Sequence, residues 1–273
     1  MTMMVPRPPA PPAPTTGRTP GALVPPVVRS GPGLDVPDAR GRTGLDRVGR
    51  DLTGNPDVVV RDVELLASGW HVLRRTTLDQ RDRHGRWSTV QRETYDRGDG
   101  ATILLYDPTR RTVLLTRQFR FPVYVSGHPD GLLLETAAGL LDEDDPLTAV
   151  RRETAEELGV VLDRVEHLFD LWTSPGSVTE RVHFYAAEYR PQDRTGAGGG
   201  VAEEGEEVEV VEMSFDEALA GIATGAVADA KTVVLLQWAA LSGPFRRLGG
   251  SARRPPRGRP ACGPVRRGWR APR

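Results

Sequence analysis

Glu135-Thr-Ala-Ala-Gly-Leu-Leu-Asp-Glu-Asp-Asp-Pro-Leu-Thr-Ala-Val-Arg-Arg-Glu-Thr-Ala-Glu-Glu-Leu-Gly159 reads as a strand, a turn and a helix. Asp145 is a good N-cap, Pro146 suits the first helical position, where its missing N–H costs nothing, and Gly159 is a good stop. Leu147, Val150, Thr154 and Leu158 recur at helical spacing and predict one buried face. Glu153, Glu156 and Glu157 fall on another arc, where like charges three and four residues apart repel. A divalent cation reverses the sign of that interaction, because hard cations take oxygen ligands and bind through carboxylates and substrate phosphates. For the bare spacing, a solvated acidic face partnered by Arg151 and Arg152 is the simpler reading.

Working outward, apolar alternation predicts strands over Val58 to Leu66, over Trp70 to Leu78 and, after the turn Asp82 to Trp87, over Ser88 to Tyr95. Ala101 to Tyr106 and Thr112 to Phe119 flank Asp107-Pro108 and predict a second hairpin, and Leu132 to Glu135 leads into the opening stretch. Beyond it lie Val165 to Trp172, Val182 to Tyr189 and Val208 to Met213. Ser214-x-x-Glu217 is a capping box for a helix to about Thr224, and Asp229 caps a last helix, Lys231 to about Leu241. Strands interleaved with helices predict an α/β (α+β) fold, a mixed sheet in an α/β/α sandwich with antiparallel strands at its N-terminal side.

Composition narrows the function classes. The net charge is −1, yet the stretch from Arg246 to Arg273 holds ten Arg and no acid, so the rest of the chain is clearly acidic. An acidic body argues against a specific nucleic-acid-binding protein. A lone cysteine, Cys262, excludes a disulfide framework within one chain. No apolar run approaches the ~20 residues of a membrane span, and the N-terminus lacks a signal-peptide core, which together predict a cytoplasmic protein. Residues 1–55 are Pro-, Gly- and Arg-rich, without core-forming periodicity, and are expected to be disordered or locally polyproline II. The Arg-rich tail, 248–273, is expected to be disordered too, which leaves 56–247 as the folded part.

Several groups outside the helix invite chemistry. The loop from Gly196 to Glu207 is rich in glycine, which predicts mobility, and carries Glu203, Glu204, Glu206 and Glu207. A solvated acidic loop is one reading; the other is a lid that adds a carboxylate as ligand or general base over a metal-bound pyrophosphate. Arg92, Arg117 and Arg120 are anion candidates, although Arg92 beside Glu93 could equally be a surface pair. Lys231 is the only lysine in an Arg-rich chain. Either this is chance or the position needs a compact ammonium. Trp70 and Trp172 could stack on a base, though a strand tryptophan is more often core. His128, His167 and His183 have no metal-ligand spacing and read as structural.

Arg152-Glu153-Thr154-Ala155-Glu156-Glu157-Leu158-Gly159-Val160 resembles the second half of the Nudix box, R-E-U-x-E-E-x-G-U with U a bulky aliphatic, except that Thr154 stands at the first U. Gly139 lies one residue closer to Arg152 than in the general signature, and the acid of the first half is Asp144 or Asp145 rather than Glu. The short loop is similar to that of the GDP-mannose hydrolases within the ADP-ribose pyrophosphatase branch of the Nudix hydrolases. So are Tyr95 to Tyr106, Arg117-Gln-Phe-Arg120, Ser174 to Glu180, Gly198-Gly-Gly-Val201 and Asp229-Ala-Lys-Thr232.

That resemblance implies a Nudix-type sandwich and hydrolysis of a nucleoside diphosphate sugar, GDP-mannose first and ADP-ribose as the alternative. It implies Mg²⁺, with Mn²⁺ as a substitute, held by the Ala138 carbonyl, Glu153, Glu157 and, from the loop, Glu206. Glu204 corresponds to the candidate base and Glu207 is the second choice. Arg120 would contact phosphate, and Gly139, Leu140, Glu180 and Lys231 would line the substrate site. Trp70 would stack on the base beside Gln91, Arg92 and Glu93. It also implies a homodimer with swapped N-terminal strands, so that the Trp70 and Arg92 segments serve the partner's site. From a different class, a nucleotide-binding regulator with a dead box is opposed by the intact Glu153, Glu156 and Glu157, and an RNA-binding role for the tail by the acidic body.

Overall fold

The computed structural model describes residues 54–141, 144–201 and 207–246, and the backbone of 28–30. Most of the two segments expected to be disordered, together with Cys262, Glu203, Glu204 and Glu206, lie outside the described residues. The chain divides into two compact units at Asp96/Arg97.

The first unit is an antiparallel sheet in sequence order: β1 (Val28–Ser30), β2 (Val58–Ser68), β3 (Val72–Arg81) and β4 (Trp87–Asp96). Within the stretch expected to lack structure, Val28–Ser30 thus pairs with Val63–Leu65. The β3–β4 hairpin runs in unbroken register from Val72↔Asp96 to Arg81↔Trp87. Its turn is organised by Asp82, whose carboxylate accepts the N–H groups of His84 and Arg86. An ion pair is buried at the other end of the hairpin, Arg74 to Asp96 at 2.7 Å.

The second unit holds a seven-stranded sheet with β5 (Gly100–Asp107), β6 (Thr112–Phe119), β7 (Leu132–Glu135), β8 (Ala137–Leu140), β9 (Glu166–Trp172), β10 (Arg181–Glu188) and β11 (Val208–Ser214). The order is β11-β6-β5-β10-β9, with β7 also on β6 and β8 on β5. β10 runs parallel to β5 and the other pairs are antiparallel, so the sheet is mixed. Strand alternation splits its two faces. Ile103, Leu105 and Leu114 pack with Ala149, Val150 and Leu158 of α2 (Pro146–Leu158). Leu104, Val113 and Leu115 pack instead with Phe215 and Ala218 of α3 (Phe215–Thr224) and with Leu235, Leu236 and Ala239 of α4 (Ala230–Leu241). The expected α/β/α sandwich follows from this division.

The predicted caps all form. Asp145 accepts the N–H groups of Leu147 and Thr148, Gly159 ends α2 at φ 66°, Ser214 and Glu217 close a capping box, and Asp229 accepts the Thr232 N–H. Thr154 fits its aliphatic position because its hydroxyl donates to the Val150 carbonyl at 2.6 Å and so is itself paired in the core. Four short elements among the described residues are absent from the sequence reading: β1, β8, the 3-10 turn Pro191–Asp193, and the five-residue helix α1 (Phe121–Val125), which has no buried residue.

Candidate functional site

The acidic arc of α2 is not a solvated face. Glu157 and Glu153 are only 2% and 8% exposed, and both meet β8. The Glu157 carboxylate accepts the Ala138 N–H at 3.2 Å. Glu153 lies where a side chain on residue 139 would go: a Cβ added to Gly139 would stand 1.9 Å from Glu153 Oε1. Glycine is therefore required there by close approach. Glu156 keeps to the outer side, where Arg152 meets it at 3.3 Å, Glu153 at 3.1 Å and Asp144 at 3.3 Å. Of the two candidate first-half acids, Asp145 is spent on the cap, and Asp144 is the one joined to the glutamates through Arg152.

Glu135, at the end of β7, is buried and holds two cations. Arg120 forks onto its carboxylate with bonds of 3.0 and 2.9 Å. Burial opposes the Arg120 cation, but Glu135, with Glu157 and Asp229 nearby, holds its pKa above the ordinary value. Lys231 Nζ lies 2.7 Å from Asp229 and 3.8 Å from Glu135. A small ammonium fits between two carboxylates there, in keeping with the survival of one lysine in the chain. Burial disfavours the Asp229 anion, yet Lys231 and the Thr232 N–H and hydroxyl hold its pKa below the usual range. Glu135 and Asp229 are absent from the sequence-predicted set. The available signal was an acid closing the apolar run Leu132-Leu133-Leu134, where the strand enters the core.

Glu180 joins the same neighbourhood. A Cβ added to Gly100 would lie 3.2 Å from the Gly139 carbonyl oxygen and 3.4 Å from Glu180 Oε1. Leu140 pairs with Gly100 in the β5–β8 register. The second unit thus brings together Arg120, Ala138, Gly139, Leu140, Glu153, Glu157, Glu180 and Lys231.

The glycines before the glutamate loop have a role other than the expected mobility. The Gly199 and Gly200 N–H groups donate to the Glu157 and Glu156 carbonyls at 3.0 and 3.2 Å, and the Val208 N–H returns to the Gly199 carbonyl at 3.1 Å. Gly198 (φ 71°) comes so close that a Cβ would stand 2.3 Å from the Glu157 carbonyl oxygen. Both ends of the glutamate loop are thereby rooted on the last turn of α2. Glu207 is exposed at its far end, while Glu203, Glu204 and Glu206 lie outside the described residues.

Trp70, Gln91, Arg92 and Glu93 are on the first unit, and the other candidates are on the second. Trp70 is 61% exposed at the β2–β3 turn. Glu93 pairs with Arg75 rather than with its neighbour Arg92, and Gln91 donates to the Thr77 hydroxyl, both across the β3–β4 ladder. Arg117 is likewise a cross-strand partner, of Glu209 at 3.0 Å. His128 accepts the Gly131 N–H in a loop, as a structural residue would. His167 and His183, far apart in sequence, both reach Asp170. Among the described residues no helix is long and apolar enough to cross a membrane.

The NUDIX domain profile matches residues 96–236, more than half of the chain. The chain belongs to the NUDIX family. It is accordingly a hydrolase of phosphoric anhydrides, and Nudix enzymes generally work with a divalent metal. The donors fit such an ion: two buried carboxylates converge on the Ala138–Gly139 backbone, an all-oxygen set suited to a hard cation. Residues 57–95 match the N-terminal domain of GDP-mannose pyrophosphatase NudK. Similar relatives include the GDP-mannose pyrophosphatases of Yersinia enterocolitica (51% identical over 66% of this chain and 93% of the relative), Pectobacterium atrosepticum (49%, over 67% and 93%) and Salmonella typhimurium (47%, over 64% and 91%).

Proposed function

We propose that this Nudix hydrolase cleaves the pyrophosphate bond of GDP-mannose to give GMP and mannose 1-phosphate. The observation that carries the reading is the pair of buried carboxylates, Glu153 and Glu157, packed on Ala138–Gly139. The identity with GDP-mannose pyrophosphatases across both units supports the substrate.

The Ala138 carbonyl, Glu153, Glu157 and, from the loop, Glu206 would hold Mg²⁺ or Mn²⁺. When bound, that ion supplies charge neutralisation of the pyrophosphate and a lowered pKa for a water ligand. The chain's own residues do the rest. Arg120, clamped by Glu135, presents its outer edge to a phosphate oxygen, so the guanidinium reaches the substrate already oriented. Glu204, with Glu207 as the second choice, takes the proton from the attacking water. Glu180, Gly139, Leu140 and Lys231 bound the substrate site. Trp70, with Gln91, Arg92 and Glu93, provides the base-recognition surface of the first unit. That unit also serves as a dimerisation module, swapping strands so that its aromatic and basic residues complete the partner's site. The working form is a cytoplasmic homodimer, and 56–247 carries the residues of the reaction.

A panel of GDP-mannose, ADP-ribose, ADP-glucose and NADH with Mg²⁺, read by product identity, tests the reaction. GDP-mannose is expected to give the highest kcat/KM, with GMP and mannose 1-phosphate as the products. Preference for ADP-ribose, with AMP and ribose 5-phosphate as products, would reassign the substrate. No turnover of any member would overturn the proposal.

A further inference from the structure

A second cluster lies on β9 and β10 and shares no residue with the pyrophosphate site. Asp170 and His183 are directly opposed across the antiparallel pair. His167 is three residues from Asp170, and in a regular strand the two would face opposite sides. The register breaks here: Phe184 pairs with Phe169, and Tyr185 with His167, so Leu168 is the extra residue of a bulge. The bulge returns His167 to the face of Asp170, which is how bulges re-aim side chains at sheet edges. β9 is the edge strand of the large sheet.

The outcome is a compact donor set. Asp170 Oδ1 lies 2.8 Å from His167 Nε2 and 2.8 Å from His183 Nδ1. The three donor atoms are all within 4.8 Å of one another. The site has a buried floor and an open mouth, with side-chain exposures of 9% at His183, 32% at Asp170 and 48% at His167. His183 Nε2 is buried and has no hydrogen-bond partner among the described residues, so that ring has only its Nδ1 edge to offer.

We propose that His167, Asp170 and His183 form a second cation site, for a borderline divalent ion of the zinc class. The chemistry separates it from the all-oxygen set of Glu153 and Glu157. Two imidazoles and one carboxylate favour zinc, cobalt or nickel over magnesium. Three protein ligands with an open mouth leave the fourth tetrahedral position to water. Donors about 2.0 Å from a tetrahedral centre stand about 3.3 Å apart, so the nitrogens need close by no more than about 1.5 Å. The exposed His167 side chain can supply that movement.

The test is a titration of the metal-free full-length chain with Co²⁺, read by visible absorption, followed by Zn²⁺ competition. One equivalent with tetrahedral cobalt absorption is expected, displaced by Zn²⁺ and unmoved by excess Mg²⁺. Glu157→Gln should bind cobalt as the parent does. His167→Ala, on an exposed ring, should weaken binding at least about 10-fold. It should also lose the rise in Tm that Zn²⁺ gives the parent, with circular dichroism reporting its fold. His167→Gln, which keeps the side-chain volume, is the second variant, and Asp170→Asn should weaken binding as well. No cobalt binding by the parent would leave the cluster a hydrogen-bonded clasp and overturn the proposal. Binding unchanged in both His167 variants, displaced by Mg²⁺ or lost in Glu157→Gln would overturn it equally.

Discussion

Glu157 is held from two directions: its carboxylate by the Ala138 N–H, and its backbone carbonyl by the Gly199 N–H. Replacing it by Gln keeps an acceptor for Ala138 and removes only charge. We expect Glu157→Gln to lower kcat by about 10²–10³-fold, the usual cost of removing one preorganised electrostatic group, with an unchanged unfolding transition. Near-normal turnover would take α2 out of the metal site. Glu135 acts through Arg120, so Glu135→Gln should raise KM more than it lowers kcat, and steady-state kinetics will separate the two. Asp229 has a pH signature. Its pKa is held below the ordinary 3.8, so its stabilisation is complete at neutral pH and is lost as pH falls below that value. Asn can still cap α4 but carries no charge. Asp229→Asn should therefore cost about 1–2 kcal/mol at pH 7 and much less near pH 3 in urea unfolding curves; an equal cost at both would show that its charge contributes nothing.

Among elements, what could be read in advance was whatever local chemistry fixes. Asp145, Pro146 and Gly159 marked both ends of α2, and Ser214 with Glu217 marked the start of α3. The core faces of β5 and β6 followed from alternation. Features made by long-range pairing could not be read. β8 is only Ala-Ala-Gly-Leu, too short and too small to signal a strand, yet it is the floor on which Glu153 and Glu157 pack. The Leu168 bulge exists only as a mismatch between two strands, so the spacing of His167 and Asp170 looked meaningless. The run Gly198-Gly-Gly200 suggested looseness, because composition does not say that these glycines are pressed against a helix end. Gly198→Ala should make that concrete. A Cβ at φ 71°, 2.3 Å from a carbonyl oxygen, forces the loop root off α2. The expected cost is about 1–3 kcal/mol in stability, with a further loss of kcat at temperatures where the variant is fully folded. Full activity in a folded Gly198→Ala chain would uncouple the root from catalysis.

On the scale of the molecule, the two units differ in how they are held. The first has a buried charge pair, Arg74–Asp96, whereas the second rests on two apolar clusters, one on each face of its sheet. Near the end of the described residues, Phe245 stacks on Phe215 at 4.2 Å between ring centroids and is nearly fully buried. The Arg-rich stretch follows directly. Deleting residues 247–273 should leave hydrolysis unchanged, whereas Phe245→Ala should destabilise the fold by about 3–5 kcal/mol in denaturant unfolding. If the truncated chain lost activity, the tail would belong to the enzyme. The basic stretch read from composition begins at Arg246, the residue after Phe245.

The rooting of the glutamate loop has an evolutionary corollary. The Val208 N–H closes on the Gly199 carbonyl, so the two ends of the segment between Gly200 and Val208 are held together beside α2. Lengthening a segment whose ends already meet costs little closure entropy, on the order of 0.6 kcal/mol per doubling. Insertions and deletions there can be sampled without shifting the helix that carries Glu153 and Glu157. Changing the length of that segment is therefore expected to leave the position of Glu153 and Glu157 on α2 as it is, which makes its length a separate variable from the helix.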